Sequence, residues 1–322
     1  MGQRNSNGFT SLMTALDYST KMGSKRFPNP IFTASGCASS GQELSQFFPL
    51  TELGAIVTKS IMTRPRLGRN TPRMAETPSG MLNSIGLQGP GIDAFLEKDI
   101  PWLIDQKVKV IVSIAGETVE EYGVLARRLR AVPGISAVEV NISCPNVENR
   151  GQVFACHPET SVAVIEAVRR NIGGELPIVA KLSPDVTDIV EIAKSVINAG
   201  VDGVALINTL LGMVIDVNSM KPKLAGKTGG LSGPAIRPVA VRAIYQVHRA
   251  FPNIPIVGMG GVSTGRDALE LILAGASAVS IGTASFGNPQ AAVLVKTQLS
   301  DLLIERGFKD LRDAIGFAHR GE

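Results

Sequence analysis

Two kinds of segment alternate along this chain. Short apolar runs occur at NPIFTAS (29–35), GAIVTKS (54–60), VKVIVSIAG (108–116), AVEVNIS (137–143), PIVAKLS (177–183), GVALINT (203–209), IPIVGMGG (254–261) and AVSIGTA (278–284). Segments with the spacing of amphipathic helices separate most of them, at 118–131, 158–173, 187–199, 234–250, 264–275 and 288–306. Short apolar runs bounded by Gly, Pro or polar residues read as strands, and strands covered on both faces lose strict alternation. Strands alternating with helices predict parallel βαβ units, and eight such units predict an α/β fold, a (β/α)8 TIM barrel in a single domain. A doubly wound open sheet is the alternative. No low-complexity linker divides the chain, so residues 27–310 read as the barrel, 1–26 as an N-terminal extension and lead-in, and 311–322 as a C-terminal tail.

The runs end on chemistry-bearing residues: Ser35-Gly36, Lys59-Ser60, Asn141 with Cys144, Lys181, Asn208-Thr209, Gly260-Gly261 and Gly282-Thr283. All strands of a barrel open at their carboxyl ends on one face, where barrel enzymes keep their sites. Any single strand must end in polar or turn residues. Two lysines, two asparagines and a cysteine at matching ends predict a shared site. The glycine-ended runs at 254–261 and 278–284 further predict a phosphate-bearing ligand, because glycine lets the backbone approach an anion. Neither G-x-G-x-x-G nor a Walker pattern is present, so a Rossmann or P-loop mode is not predicted. The long segment 61–107 carries GMLNSIGLQGPG (80–91), which reads equally as a substrate-binding excursion or as a cap on the barrel.

Composition narrows the partners. A formal net charge of +4 over 322 residues, with no run of five basic residues, predicts neither nucleic-acid nor membrane adhesion. The three cysteines, Cys37, Cys144 and Cys156, make neither a disulfide framework nor a four-cysteine iron–sulfur site, which fits a reducing cytoplasm. Cys156-His157 is an adjacent pair with no further cluster, so no metal site is predicted. The polar N-terminus lacks a secretory core, and no run of 18 apolar residues predicts a membrane span.

Taken in order, TASG (33–36), TKS (58–60), MLNSIGLQGPG (81–91), NISCPNV (141–147), AKLSP (180–184), LINTLLGM (206–213), KTGGLSGPA (227–235), GMGGV (258–262) and AGASAVSIGTA (274–284) resemble dihydroorotate dehydrogenases. GLQ-x-PG, NISCPNV followed by RGQVF, and KTGGLSGPA resemble the class 1B catalytic subunit in particular. The resemblance implies an FMN-binding barrel that oxidises dihydroorotate to orotate in pyrimidine biosynthesis. It implies a dimer of catalytic subunits joined to electron-transfer subunits, a heterotetramer in which FAD and a [2Fe–2S] cluster on the partner pass electrons to NAD+. Carried over by position, it makes Cys144 the base that removes the C5 proton. Lys59, Asn83, Ser84, Ile85, Gly86, Leu87, Asn141, Asn208 and Thr209 fall where the family holds substrate. Ser35, Lys59, Ser60, Asn141, Lys181, Ile207, Gly233, Gly260, Gly261, Gly282 and Thr283 fall where it holds FMN.

Departures accompany the match. Ser113 stands where relatives usually have a flavin-contacting Asn, and Gly89 where many have Asn, which predicts a looser substrate loop. Residues 38–41 read ASSG instead of an aromatic-containing stretch, and about sixteen residues precede the usual family start. The segment 144–157 is a candidate lid. Alternatives are a class 1A enzyme that reduces fumarate, a flavin barrel acting on another pyrimidine, and a non-redox phosphate-binding barrel.

Overall fold

The computed structural model describes residues 16–143 and 157–321. Its centre is one parallel sheet of eight strands: β1 (Ile31–Thr33), β2 (Ile56–Val57), β3 (Val110–Ile114), β4 (Ile135–Asn141), β5 (Ile178–Lys181), β6 (Gly203–Leu206), β7 (Ile256–Met259) and β8 (Ala278–Ile281). β2 through β8 pair in chain order, and β8 returns to β1. All eight predicted strands are present, and the sheet is a TIM barrel rather than an open doubly wound sheet.

The seam between β1 and β2 closes the barrel by unusual means. One parallel bridge joins Phe32 to Ala55. The Thr33 hydroxyl accepts from the Val57 amide at 2.8 Å and donates to the Val57 carbonyl at 3.2 Å, so a side chain substitutes for ladder bonds. The Gly54 amide donates to the Ile31 carbonyl at 2.8 Å. A β-carbon on Gly54 would sit 2.0 Å from the Asn29 carbonyl oxygen. Gly54→Ala should therefore pry the seam apart and cost roughly 1–3 kcal/mol, the range for overpacking. The urea midpoint reads this directly; an unmoved midpoint would show that the seam tolerates the methyl.

Apolar side chains of the strands divide into two sets by parity. Outward ones such as Val112, Ile114, Val138, Val140 and Val204 join the main core. That core includes the apolar stripes of α1 (Val119–Leu129), α2 (Pro158–Ile172), α3 (Ile189–Asn198), α4 (Arg237–Ala250), α5 (Gly265–Ala274) and α6 (Ala291–Glu305). Three of these helices start on a side-chain cap, Thr118, Asp188 and Thr264, the last with Asp267 as a full capping box. Such caps satisfy amides that have no intrahelical partner, which is why the predicted starts hold.

Inward residues form a second cluster in which Phe32, Ala55, Val57, Ile111, Ala137, Val179, Ala205 and Ala278 pack together. Met22 and Phe27 plug its lower end from a hairpin, Thr20–Met22 with Lys25–Phe27. Thr20 ties that hairpin down by donating to the Ser277 carbonyl at 2.7 Å. The Asp17 amide and carbonyl bond Lys309 and Leu311, so the lead-in and the C-terminal segment pair with each other. The upper interior is polar, with Ser113, Glu139, Asn141, Lys181 and Ser280 all buried.

Above the mouth lies a second, antiparallel sheet with its strands in the order Met74–Thr77, Gly80–Asn83, Thr228–Ser232, Leu210–Met213. The excursion at 61–107 thus shares a sheet with the segment after β6. No helix among the described residues is long and apolar enough to cross a membrane.

Candidate active site at the barrel mouth

Two adjoining cavities open at the carboxyl ends of the strands. The first, about 290 Å³, lies against the turns after β7 and β8 and is lined by Gly233, Gly260, Gly261, Gly282, Thr283 and Ile207. The second, about 590 Å³, is lined by Lys59, Ser60, Asn83, Ile85, Gly86, Leu87 and Asn141. Ser35, Lys181, Asn208 and Thr209 line both, so the two form one continuous cleft. Ser84 is turned away: its hydroxyl accepts from Arg69 at 3.0 Å and its amide donates to the Arg73 carbonyl at 2.8 Å. It anchors the loop without lining the cleft. Cys144 and the segment 144–156 lie outside the described residues.

The loop that carries residues 83–87 is shaped by its backbone. Gly86 and Leu87 both take left-handed conformations, φ 77° and 55°, which swing Leu87 inward to a buried position. Gly89 exchanges two backbone bonds with Arg66, at 2.9 and 3.1 Å, and the Arg66 guanidinium pairs with Glu117 beyond β3. This backbone pairing, open to any residue type at 89, ties the loop to the segment before it. Thr209 is fixed from two sides. Its amide donates to Asn208 Oδ1 at 2.8 Å, and a β-carbon at Gly230 would lie 2.0 Å from its hydroxyl. Only glycine lets the upper sheet ride this close.

A buried polar network floors the cleft. Lys181 Nζ donates to Ser35 Oγ at 2.9 Å and lies 4.0 Å from Glu139 Oε1, with both charged side chains at most 5% exposed. Glu139 accepts from Ser113 Oγ at 2.9 Å, Ser113 and Ser60 hydroxyls are 2.9 Å apart, and Asn141 Nδ2 reaches Ser60 at 2.9 Å. Asn208 Nδ2 donates to Ser143 Oγ at 2.7 Å. Ser113, the shorter residue at the Asn position, is occupied by this network. Burial pushes the Cys37 thiol up, while the nearby Lys181 and Lys59 pull it the other way. Ser280 Oγ is buried at the cavity wall with no hydrogen-bond partner among the described residues.

Glu139 and Ser280 were invisible to a reading of strand ends alone. Parity would have found both. Side chains on one face of a strand recur every second residue, so Glu139 follows Asn141 inward and Ser280 follows Ala278. Ser232, which accepts from Thr283 Oγ1 at 2.7 Å, comes from the upper sheet, whose pairing is not local in sequence.

Residues 18–303 match the family model for dihydroorotate dehydrogenase. The chain belongs to the dihydroorotate dehydrogenase family. It is 52% identical over 292 residues to the dihydroorotate dehydrogenase B (NAD(+)) catalytic subunit of Desulforudis audaxviator, covering 91% of this chain and 94% of that protein. The like-named subunits of Desulforamulus reducens and Geotalea daltonii are 50% and 47% identical, with 94% of this chain and 99% of each relative aligned. The nine motifs that resemble dihydroorotate dehydrogenases are therefore spread through a match along nearly the whole barrel. The glycine-walled cavity lies after β7 and β8, beside the short helix Ala284–Gly287, at the end where barrels frequently bind phosphate.

Proposed function

We propose that this chain is the catalytic subunit of an NAD+-linked dihydroorotate dehydrogenase, oxidising (S)-dihydroorotate to orotate in de novo pyrimidine (UMP) biosynthesis. The observation that carries this is the continuous cleft, in which a glycine-walled half and a lysine- and asparagine-lined half share Ser35, Lys181, Asn208 and Thr209.

The residues present fit FMN. Ser280 offers a buried hydroxyl without a partner among the described residues. A β-carbon at Gly282 would project to 3.2 Å from Ala34 and 3.4 Å from Cys37 Sγ, narrowing the same wall. Gly233, Gly260, Gly261, Gly282 and Thr283 would hold the phosphate end. Ser35, Lys59, Ser60, Asn141, Lys181 and Ile207 would hold the ring system. FMN, when bound, supplies the acceptor for the C6 hydride.

The chain's own side chains do the rest. Lys59 and the loop of Asn83 to Leu87 bind the substrate carboxylate, since an anion in a buried cleft needs a cation and amide donors. Asn141, Asn208 and Thr209 present both donors and acceptors to the pyrimidine edge. Lys181 places a positive charge where negative charge develops, an arrangement worth most in a dry site. Cys144 takes the C5 proton. Electrons then leave through a partner subunit that carries FAD and a [2Fe–2S] cluster. With three cysteines in the sequence, this chain has too few to ligate that cluster alone. The assembly is a cytoplasmic heterotetramer built on a homodimer of this chain.

Purification decides the reading. The chain is expected to carry a yellow flavin that dihydroorotate bleaches, and to reduce NAD+ only when mixed with a flavin/iron–sulfur subunit. Efficient use of fumarate by the chain alone would overturn the NAD+ assignment in favour of a class 1A enzyme. A chain that takes up no flavin would overturn the oxidoreductase reading and favour a non-redox phosphate-binding barrel.

A further inference from the structure

We infer that Glu139 is a positioning residue: acting through Ser113 and Ser60, it fixes which way round the Asn141 side-chain amide sits in the cleft. An ionised carboxylate has no proton to give, so it only accepts. Ser113 Oγ, 2.9 Å from Glu139 Oε1, therefore commits its single proton to Glu139. Ser60 Oγ lies 2.9 Å from Ser113 Oγ, which has no proton left, so Ser60 must donate. Ser60 has then spent its own proton. Its 2.9 Å contact with the Asn141 amide can only be accepted from Nδ2.

The amide oxygen consequently faces the other way. There it accepts from Ser143 Oγ at 3.1 Å and meets Asn208 Nδ2 at 3.5 Å. Ser60, Ser113, Glu139 and Asn141 are all buried, so no bulk water competes to reverse the chain. A neutral group at 139 that can both donate and accept would let the chain run either way. The charge alone gives it one direction.

The same carboxylate serves the opposite wall. Lys181 Nζ lies 4.0 Å from Glu139 Oε1 and donates to Ser35. Register explains the reach: Ser113 is the cross-strand neighbour of Glu139, and Asn141 that of Lys181, across three adjacent strands. One buried negative charge thus organises side chains from β3, β4 and β5 and from the segments just after β1 and β2. Its expected effect on ligands rests on the proposed function; its effect on the network does not.

The test is a double-mutant cycle of urea unfolding between Glu139→Gln and Ser60→Ala, side chains joined through Ser113. Polarity relayed along the chain predicts a coupling of at least fivefold in the folding equilibrium constant. Additive effects would overturn the assignment. Should Glu139→Gln fail to fold, the cycle of Ser113→Ala with Asn141→Ala, joined through Ser60, asks the same question with the same two outcomes. In the FMN-loaded protein, Ser113→Ala is expected to weaken orotate binding about tenfold, with Ser113→Thr restoring it. Equal weakening by Ser113→Ala and Ser113→Thr would reduce the role to packing and overturn the assignment. Glu139→Gln should also move the midpoint potential of bound flavin positive by at least ~30 mV, a tenfold change in a two-electron couple, while Ser113→Ala leaves it in place. A wild-type chain that binds no FMN sinks the proposed function, whereas the unfolding cycle still decides on Glu139.

Discussion

Lys181→Met is expected to lower the stability of this protein by about 3–5 kcal/mol, the usual consequence of orphaning a buried charge. Lys181 and Glu139 are at most 5% exposed, so water cannot solvate the carboxylate that the substitution abandons. Its remaining polar partner is Ser113, a neutral donor at 2.9 Å. Adding Glu139→Gln to Lys181→Met removes the stranded charge, and the double variant should recover at least half of the lost stability. It should not recover flavin retention, because Lys181 sits in the stretch of wall common to both cavities. Urea unfolding and flavin absorbance after gel filtration separate the two effects. If Lys181→Met unfolds at the wild-type midpoint, the buried pair is not the counterbalanced couple described here. If it keeps its flavin, Lys181 does not face the cofactor.

That pair also marks where sequence reasoning stopped. The barrel was legible because strands buried on both faces are written as nearly unbroken Val, Ile and Ala runs, and each predicted run contains a strand. Helix starts at Thr118, Asp188 and Thr264 were legible because capping is a local hydrogen bond. Glu139 was not. Within AVEVN a lone glutamate looks like the solvent side of a half-buried strand, and only barrel closure turns that side inward. The lead-in hides its role in the opposite sense: TKMGSKRF is mostly polar, yet its hairpin aims Met22 and Phe27 into the barrel floor. The upper sheet was illegible for a third reason. Gly80–Asn83 pairs with Thr228–Ser232 across about 150 residues, and glycines there mark close approach instead of turns. The excursion read equally as cap or as substrate loop covers the mouth with that sheet and lines the cleft through residues 83 and 85–87.

Cys144→Ala is expected to slow flavin reduction by dihydroorotate about 10²–10⁴-fold, the usual worth of a positioned general base, while flavin content stays at the wild-type level. The residues leading into position 144 are held firmly enough for the role. Tyr122 donates to the Asn141 carbonyl at 2.8 Å, and Asn208 donates to both the Ser143 carbonyl and its hydroxyl, at 3.3 and 2.7 Å. Those two asparagines are the ones proposed to grip the pyrimidine, so the base would be indexed to the same groups that position its target. This matters because abstraction depends first on reach and only then on pKa. Cys144→Ser keeps a proton acceptor at the position but exchanges the thiol, ordinarily near 8.5, for a hydroxyl, a far weaker acid. Its reduction rate should therefore climb through the alkaline range where the wild-type rate has already levelled off. Rapid mixing of each loaded variant with dihydroorotate across pH reads both effects. Wild-type rates in Cys144→Ala would remove the thiol from proton abstraction and shift the search to the remaining polar groups of the cleft.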